Sequence, residues 1–431
     1  MKMRAGFAIA AMVFGASSAT AQGATCQIPP DLESTVNAGG EYWSRLIETV
    51  IVDEPSSLAV DNSGRIWVVG RGCEASGGAR IVRLSQAGEI LDDHGYGQGV
   101  IARWGRVSVA ADGQVWTAGF YSDFYSQPRG PQGLFVYSFT EAEPEPDRGF
   151  HESMTYNGAE ALLPLEGGGM FVVQSVGSAR GAEQPTGQDV EIIRFSDSLN
   201  PVWTYRSHSP GDDMARSAAL TPDGEIWVVG KKSTGNPRTG IRAWIGRFDR
   251  EGNPLFERFF GTGSYSASFD AVLATEDGGA WMAGAVGGLA QTVLIRVDAD
   301  GEVLHEVELD LSLPSRGTNP VALGLGMQRV TGLAATPEGG VFAVGHTSDP
   351  QSGELDALLV WISSDGELIR VETFGSSGSD HARAVYMLED GSALVAGATT
   401  NGEPVMDRRG WYGWLFRVGP NGELPSLGSA G

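Results

Sequence analysis

The chain has 431 residues, and its 53 acidic residues outnumber 30 Lys and Arg, giving a formal net charge of −23. So negative a molecule is a poor partner for nucleic acid. Beyond the first residues no stretch approaches the roughly eighteen apolar residues of a membrane helix, so no membrane span is predicted. Lysine occurs only as Lys2, Lys231 and Lys232, and almost all positive charge is therefore arginine.

The first 21 residues have the three parts of an export signal. Lys2 and Arg4 form a basic start, residues 6–16 are a short apolar stretch, and Ala-Thr-Ala at 19–21 fits a small-residue cleavage site. We therefore expect an exported protein, periplasmic or extracellular, with residues 1–21 removed as a signal peptide.

Residues 22–38 are then expected to form an N-terminal tail, and residues 39–431 a single domain. The two cysteines, Cys26 and Cys73, suit one disulfide in an oxidising compartment. That bond requires the tail to extend across a neighbouring sheet.

The domain contains a short repeated phrase, in which an apolar run follows a Gly-containing turn and usually closes on glycine. It reads IWVVG at 66–70, VWTAG at 115–119, MFVVQ at 170–174, IWVVG at 226–230, AWMAG at 280–284, VFAVG at 341–345 and ALVAG at 393–397. Successive phrases end 49 to 61 residues apart. A period near fifty with strand-like content in every unit predicts a stacked or radial repeat architecture.

The unit at 216–261 shows the content of one repeat. RSAALT, EIWVVG, RAWIGRF and PLFERFFG are four short runs of strand character, separated by turns rich in Gly and Asp. Such turns supply the positive φ that hairpins need, so the unit predicts one four-stranded antiparallel sheet. A single sheet cannot bury both of its faces, and neighbouring copies must therefore pack against it.

The two ends of the chain predict that the array closes into a ring. After Val418 the last unit has no convincing fourth strand, whereas residues 39–46 match residues 251–258 in character. An N-terminal strand that completes the last blade would remove the exposed edge of an open array. The sequence therefore predicts an all-β, seven-bladed β-propeller of four-stranded antiparallel blades.

The turn Asp277-Gly278-Gly279, the run Arg296-Val297-Asp298 and the ending Phe374-Gly375 carry a resemblance that spans nearly the whole mature chain. They resemble the repeat of many exported bacterial β-propellers. The resemblance implies the fold and says almost nothing about activity, because such propellers serve many chemistries. Two places depart from it: residues 140–150 make a poor fourth strand, and Gln174 stands where glycine is usual.

Residues that recur in every unit are interpreted as blade structure. We expect the recurrent arginines to pair with acidic turn residues such as Asp249 and Asp298. These arginines are Arg83, Arg194, Arg247, Arg296 and Arg417. The recurrent tryptophans predicted in the core are Trp67, Trp116, Trp227 and Trp281.

The loops that enter strand one and those that join strands two and three share one face of a propeller. Five histidines are predicted there: His94, His151, His208, His346 and His381. Many arginines join them, and guanidinium groups bind carboxylate, sulfate or phosphate through paired hydrogen bonds. This pattern favours an anionic ligand; the alternative is that these loops are simply polar and exposed.

The candidate ligand-binding residues combine these cations with flat rings, which stack on sugar faces or hold peptides. They are Arg106, Tyr121, Tyr125, Arg129, Arg216, Asp270, His381, Arg383, Arg408, Arg409 and Trp411. Packing at the rim is the alternative for the aromatic members. Arg216, Asp270 and Arg383 begin equivalent first strands, so we expect them near the central channel.

A catalytic alternative uses the same face. His151 or His208 with Tyr156 could supply a base and an acid for a polysaccharide lyase-like or hydrolytic reaction, although a solvated loop explains the same residues. A purely structural role in an envelope assembly is a third hypothesis.

Motifs for haem attachment, a nucleophile elbow, an EF-hand loop and zinc-spaced histidines do not occur. The sequence therefore predicts no metal and leaves the cofactor open. The expected partner is an anionic small molecule, a glycan or an envelope protein, bound by a monomer.

Overall fold

The computed structural model describes sixteen segments of the chain. They are residues 42–47, 55–71, 79–96, 101–122, 132–139, 147–152, 158–177, 187–207, 211–233, 240–261, 267–286, 292–309, 328–348, 354–376, 378–400 and 411–425. These segments contain 28 strands in seven four-stranded antiparallel sheets and no helix. None of this part of the chain could therefore cross a membrane as a helix.

Each blade is a meander whose strands are ordered from the innermost to the outermost. Blade 1 contains β2 (Pro55–Val60), β3 (Ile66–Arg71), β4 (Ala79–Leu84) and β5 (Ile90–Tyr96). Blade 2 contains β6 (Ile101–Val109), β7 (Val115–Ser122), β8 (Gln132–Phe139) and β9 (Asp147–Glu152). Blade 3 contains β10 (Ala159–Pro164), β11 (Met170–Gly177), β12 (Gln188–Phe195) and β13 (Pro201–Arg206).

The same order continues around the ring. Blade 4 contains β14 (Asp213–Leu220), β15 (Ile226–Ser233), β16 (Ile241–Phe248) and β17 (Pro254–Phe260). Blade 5 contains β18 (Ser268–Ala274), β19 (Ala280–Ala285), β20 (Thr292–Val297) and β21 (Val303–Leu309). Blade 6 contains β22 (Gln328–Ala335), β23 (Val341–Ser348), β24 (Leu355–Ile362) and β25 (Leu368–Phe374). Blade 7 contains β26 (Asp380–Met387), β27 (Ala393–Thr399), β28 (Tyr412–Val418) and, from the N-terminus, β1 (Ser44–Ile47).

The blades close into a ring, as the sequence predicted. Each innermost strand contacts the next, and β26 of the last blade contacts β2 of the first. Strand β1 pairs with β28 so that Ser44 opposes Phe416, and Trp414 Nε1 donates to Ser44 Oγ at 2.7 Å. The predicted seven-bladed propeller with an N-terminal closing strand is confirmed.

The core lies between neighbouring blades. Trp227 and Ile245 of blade 4 pack against Phe269, Met282 and Ile295 of blade 5, and similar clusters fill the other blade interfaces. The four recurrent tryptophans are at most 4% exposed, which confirms their predicted place in the core. Burial of an apolar side chain contributes about 1.5–3 kcal/mol, so these interfaces hold the ring together.

The recurrent arginines do serve the blades, but the predicted partners were wrong. Arg296 Nη2 lies 2.6 Å from Asp277, in the turn between strands one and two, rather than beside Asp298. Arg417 pairs in the same way with Asp390. Asp249 instead closes its own turn, where its Oδ1 accepts from the backbone N–H of Asn253 at 2.8 Å. The arginines of strand three pair with acids in the turn between strands one and two because strand three lies beside that turn in the folded sheet.

The outer strand of blade 2 was also misjudged from the sequence. Strand β9 starts at Asp147, inside the segment 140–150 that lacks strand character, and Phe150 pairs with Phe135 of β8. Pairing with β8 therefore outweighs the weak intrinsic strand propensity of this segment.

Every innermost strand carries one β-bulge at the same place. One residue of each strand has no register partner on the second strand, and it stands 14 positions before the end of the repeated phrase. These bulge residues are Ser56, Gly105, Glu160, Arg216, Asp270, Thr331 and Arg383. A bulge bends its strand and re-aims a side chain, and bulges are frequent beside functional sites.

The bulges explain the glycine that closes the phrase. Gly284 opposes Phe269, and a Cβ on Gly284 would overlap the carbonyl oxygen of Ser268. The equivalent Gly345 would in the same way overlap the carbonyl of Arg329. Blade 3 is the exception, since Gln174 occupies this register and its Nε2 donates to Glu191 Oε2 at 2.6 Å.

Candidate functional site at the mouth of the central channel

The bulges gather charged side chains around the axis of the ring. The charges of Asp270 and Glu160 hold the pKa of Arg329 above its usual value, although burial acts against this. Arg329 belongs to blade 6 and Glu160 to blade 3, which lie on opposite sides of the ring. Coupling between them therefore indicates that both side chains project towards the channel, near the ends at which the innermost strands begin.

The described part of this channel mouth carries more cations than anions. Its cations are Arg106, Arg216, Lys231, Arg329 and Arg383, and its carboxylates are Glu160, Asp212 and Asp270. In a chain with a formal net charge of −23, this is a local reversal of sign. A concave site lined by one sign of charge concentrates ligands of the opposite sign.

Asp270 and Arg329 form the best-defined pair of the site. Arg329 Nε lies 2.9 Å from Asp270 Oδ2, and Arg329 Nη2 lies 2.8 Å from Oδ1. This forked contact joins blades 5 and 6. Asp270 was predicted to contact the ligand. In the structure both of its carboxylate oxygens accept hydrogen bonds from Arg329 instead.

Arg106 links three blades. Its Nε donates to the carbonyl of Glu160 at 2.7 Å, and its Nη1 donates to the carbonyls of Gly105 at 2.9 Å and Ser56 at 3.3 Å. Burial lowers the pKa of Arg106, as does the nearby charge of Arg383, against the effect of Glu160. Two nitrogens of Arg106 therefore link neighbouring blades by hydrogen bonds. Arg106 is also close enough to Arg383 of blade 7 for their charges to interact.

Blades 6 and 7 place two neutral imidazoles beside the arginines. Arg383 Nε donates to His381 Nε2 at 2.8 Å, so this imidazole accepts at Nε2 and is 5% exposed. Burial, then Arg383 and His346, lowers its pKa well below 6.5. The ring of Trp411 lies 4.8 Å from that of His381, and the ring of His346 lies 6.2 Å from it. His381 therefore contacts both an indole ring and a guanidinium group.

Arg216 is the bulge residue of blade 4. Its Nε is buried and has no hydrogen-bond partner among the described residues. A buried donor without an acceptor costs about 1–3 kcal/mol, so this nitrogen is an unfavourable feature of the isolated protein. Arg216, Asp270 and Arg383 thus occupy three equivalent bulges.

Three other predicted residues that the structure describes are not brought to this site. Tyr121 is half-buried and packs against the core between blades 1 and 2. His151 lies on β9, where it pairs with Leu134 on the outside of the ring, so its predicted place in a loop was wrong. His94 likewise belongs to the outer strand β5 and is exposed.

Several residues to which the sequence analysis assigns a role lie outside the described residues. These are Tyr125, Arg129, Tyr156, His208, Arg408, Arg409, Cys26 and Cys73. The disulfide and the catalytic set therefore stay predictions. In the segments that the structure does describe, no group of three or more His, Cys, Asp or Glu side chains could hold a metal ion.

Glu160, Lys231, Arg329 and His346 were not chosen as site residues from the sequence. A usable signal exists for the first of these, because Glu160 stands 14 residues before the end of its phrase, as Arg216 and Arg383 do. Gln174 in place of the closing glycine obscured this equivalence.

Comparison with known proteins supports the fold class. No family model matches the chain, and no curated protein matches it. A solved structure of puromycin hydrolase, an S511A mutant complexed with PGG, has a TM-score of 0.52 and 15% identity and covers 88% of this chain and 54% of that chain. The present chain therefore spans about half the length of that protein.

Two other solved structures align at lower similarity. YCF48 bound to a D1 peptide has a TM-score of 0.44 and 13% identity, covering 91% of this chain and 98% of that chain. A glucose dehydrogenase has a TM-score of 0.41 and 15% identity, covering 87% of this chain and 99% of that chain. At such identities a likeness shows the fold alone, and a fold does not define a function. The class defined here is a seven-bladed β-propeller with a cationic channel mouth.

Proposed function

We propose that this protein is an exported binding propeller that holds an anionic ligand at the channel mouth. The ligand class is an acidic saccharide, an acidic peptide or an anionic surface polymer. The observation that supports the proposal most directly is the surplus of cations at this mouth, among them the half-buried Arg216, whose guanidinium group makes no hydrogen bond or ion pair with the described residues. A carboxylate or sulfate oxygen at the terminal nitrogens of Arg216 would make a charge-assisted hydrogen bond.

The contacts of His381 in blade 7 support a ligand that has a ring as well as a charge. Trp411 is half-buried and its ring packs on that of His381, whose Nε2 accepts a hydrogen bond from Arg383. An aromatic face next to a guanidinium suits a sugar that carries a carboxylate.

Calorimetric titration of the purified protein with a tetragalacturonate tests the proposal. We expect Arg216→Gln to weaken binding by roughly tenfold or more, because a hydrogen bond to a charged group contributes about 1.5–3 kcal/mol. The matched control is Arg258→Gln, which removes one positive charge from the outer strand of the same blade. Equal losses in the two variants, or equal binding of a neutral tetrasaccharide, would contradict binding at the channel mouth.

The lyase-like or hydrolytic alternative uses the same samples. Its residues Tyr156 and His208 lie outside the described segments, and the side chain of His151 is not described. Incubation with polyuronate separates an enzyme from a binding module, because a lyase forms products with an absorbing double bond and a hydrolase forms new reducing ends.

Export is part of the proposal. If residues 1–21 are a signal peptide, N-terminal sequencing of protein recovered from outside the cytoplasm should begin at Gln22. Recovery of an intact Met1 from that fraction would argue against cleavage.

A further inference from the structure

The two lysines of the propeller are neighbours with opposite environments. Lys231 and Lys232 are consecutive in β15, so their side chains leave opposite faces of the sheet. Lys232 is 7% exposed; its Nζ donates to Glu257 at 2.7 Å, lies 3.9 Å from Asp213 and sits 4.8 Å from the ring of Trp244. Lys232 is therefore a paired structural residue.

Lys231 is half-buried at the channel mouth. It follows Gly230, the glycine that opposes the bulge of blade 4, and its register partner is Met214. Among the described residues no hydrogen bond or ion pair holds its ammonium group. Its electrostatic neighbours include Arg216 of its own blade and Asp270 and Arg329 of the next two blades. The side chain thus belongs to the cationic site rather than to the blade core.

This environment makes the ammonium group of Lys231 easier to deprotonate than that of a solvated lysine. Burial lowers the pKa of Lys231, as do the charges of Arg216 and Arg329, against the acidic effects of Asp212 and Asp270. A desolvated lysine beside another cation is the known physical route to a nucleophilic amine, since only the unprotonated nitrogen attacks a carbonyl. The arginines stay charged, because guanidinium groups do not lose their protons in proteins.

Arg216 supplies the second requirement, which is a place for a carboxylate. The half-buried guanidinium of Arg216 makes no hydrogen bond or ion pair with the described residues, and Arg216 is the bulge residue two positions after the register partner of Lys231. A ligand whose carboxylate meets Arg216 would present an adjacent carbon to Lys231. The compound class with a carbonyl at that carbon is a 2-oxo acid.

We propose that Lys231 forms a Schiff base with a 2-oxo acid whose carboxylate is held by Arg216. This rests on the proposed anion-binding function and adds a covalent step to it. The amine nitrogen bonds to the carbonyl carbon, and a proton from the amine ends on the carbonyl oxygen to give a carbinolamine. Loss of the hydroxyl with the second amine proton releases one water and leaves the C=N bond. No oxidant or reductant takes part, and the step is reversible.

The test is reductive trapping of the purified protein. Pyruvate represents a free 2-oxo acid and 2-ketogluconate a sugar acid, each incubated with sodium cyanoborohydride and followed by intact mass and peptide mapping. We expect a single adduct at Lys231 and none at Lys232. Whichever acid labels faster identifies the source of the ligand. The α-amino group, whose ordinary pKa is about 7.7–8.0, is an internal reference on a separate peptide.

Three comparisons make the result specific. Arg216→Gln should slow labelling of Lys231 by roughly tenfold, whereas the control Arg258→Gln should leave it unchanged. Pyruvamide, which lacks the carboxylate, should label Lys231 far more slowly than pyruvate. The pH at which labelling of Lys231 is half-maximal should lie below that of free Nα-acetyl-lysine.

Labelling confined to the α-amino group, or equal labelling by pyruvate and pyruvamide, would overturn the inference. Lys231→Arg keeps the positive charge but removes the only amine at this position, so it should abolish the adduct. If the wild-type protein binds tetragalacturonate but yields no Lys231 adduct, only the covalent step fails. If no acid binds or labels, the proposed anion site fails as well.

Discussion

At the scale of single residues, the channel mouth is defined by imidazoles that stay neutral beside guanidinium groups. Burial, then Arg329 and Arg383, lowers the pKa of His346 to about 4, while Asp270 opposes the shift. His381 behaves in the same way and accepts from Arg383. Protonation of either ring would place a buried positive charge next to the charges of the arginines. Acidification is therefore expected to destabilise the folded channel mouth.

The expected consequence is a loss of stability on acidification. In the unfolded chain a histidine has a pKa near 6.5, whereas in the folded protein the pKa of His346 is about 4. The unfolded state therefore takes up a proton first as the pH falls. The stability that neutral His346 contributes to the fold is complete above pH 6.5 and is lost as the pH falls from 6.5 to about 4. A shift of this size corresponds to on the order of 3 kcal/mol. Urea titrations at pH 7.5 and 4.5 should show a smaller drop in the midpoint for His346→Gln than for the wild type.

Asp380 affects the pH dependence of stability in the opposite direction to His346, so a variant of Asp380 is the control for the histidine prediction. Burial raises its pKa to about 6 despite hydrogen bonds from Ser376, so its ionised form costs stability at neutral pH. Protonation as the pH falls through 6 offsets part of the histidine loss. Asp380→Asn should therefore increase the drop between pH 7.5 and 4.5, and identical drops in all three proteins would refute both assignments.

The sequence could locate part of this site because repeats reveal what departs from them. Arg216, Asp270 and Arg383 were found at equivalent strand starts. Lys231 was not, because it lies on the second strand and enters the site only through the bulge beside it. His151 was misplaced because a weakly patterned outer strand resembles a loop.

At the scale of elements, a bulge and a glycine form one unit in six of the seven blades. The predicted consequence is that Gly284→Ala destabilises the protein by about 1–3 kcal/mol, because its Cβ would meet the backbone of Ser268 and Phe269 and force a shift. Chemical denaturation measures the change. The control Gly158→Ala meets only Phe120 at 3.8 Å and should be nearly neutral. Similar losses for both variants would contradict the packing argument.

Inner strands could be predicted from the sequence more securely than outer ones for a physical reason. Residues of β15 and β19 are buried on both faces and read as continuous apolar runs. Outer strands leave large apolar residues exposed, with Val202 at 61% and Ile369 at 66%. The arginine partners were missed because the turn that contacts Arg296 is distant in sequence and adjacent only after the hairpin folds.

At the scale of the whole molecule, the ring depends on its N-terminal strand. Trp43 is 2% exposed, its Nε1 donates to Gln86 of blade 1 at 3.1 Å, and its carbonyl accepts from Arg417 of blade 7 at 2.8 Å. One residue thus contacts both sides of the seam.

Trp43→Ala should cost about 3–5 kcal/mol, the usual range for a buried tryptophan. Denaturation midpoints, together with protease cleavage near the seam, provide the measurement. Tyr386→Ala removes an aromatic ring that is 37% exposed and should change the midpoint little. A wild-type midpoint for Trp43→Ala would mean that the ring is held without this seam.

The seven bulges have a consequence for how such a molecule can diversify. Each is built by backbone pairing, with a glycine on the adjacent strand in six of the seven blades, so the side chain at the bulge is not needed to form it. Ser56, Gly105 and Thr331 occupy the same geometry as the charged residues at the other four. New ligand preferences can therefore arise by exchanging one inward side chain at a time, with the scaffold inherited unchanged.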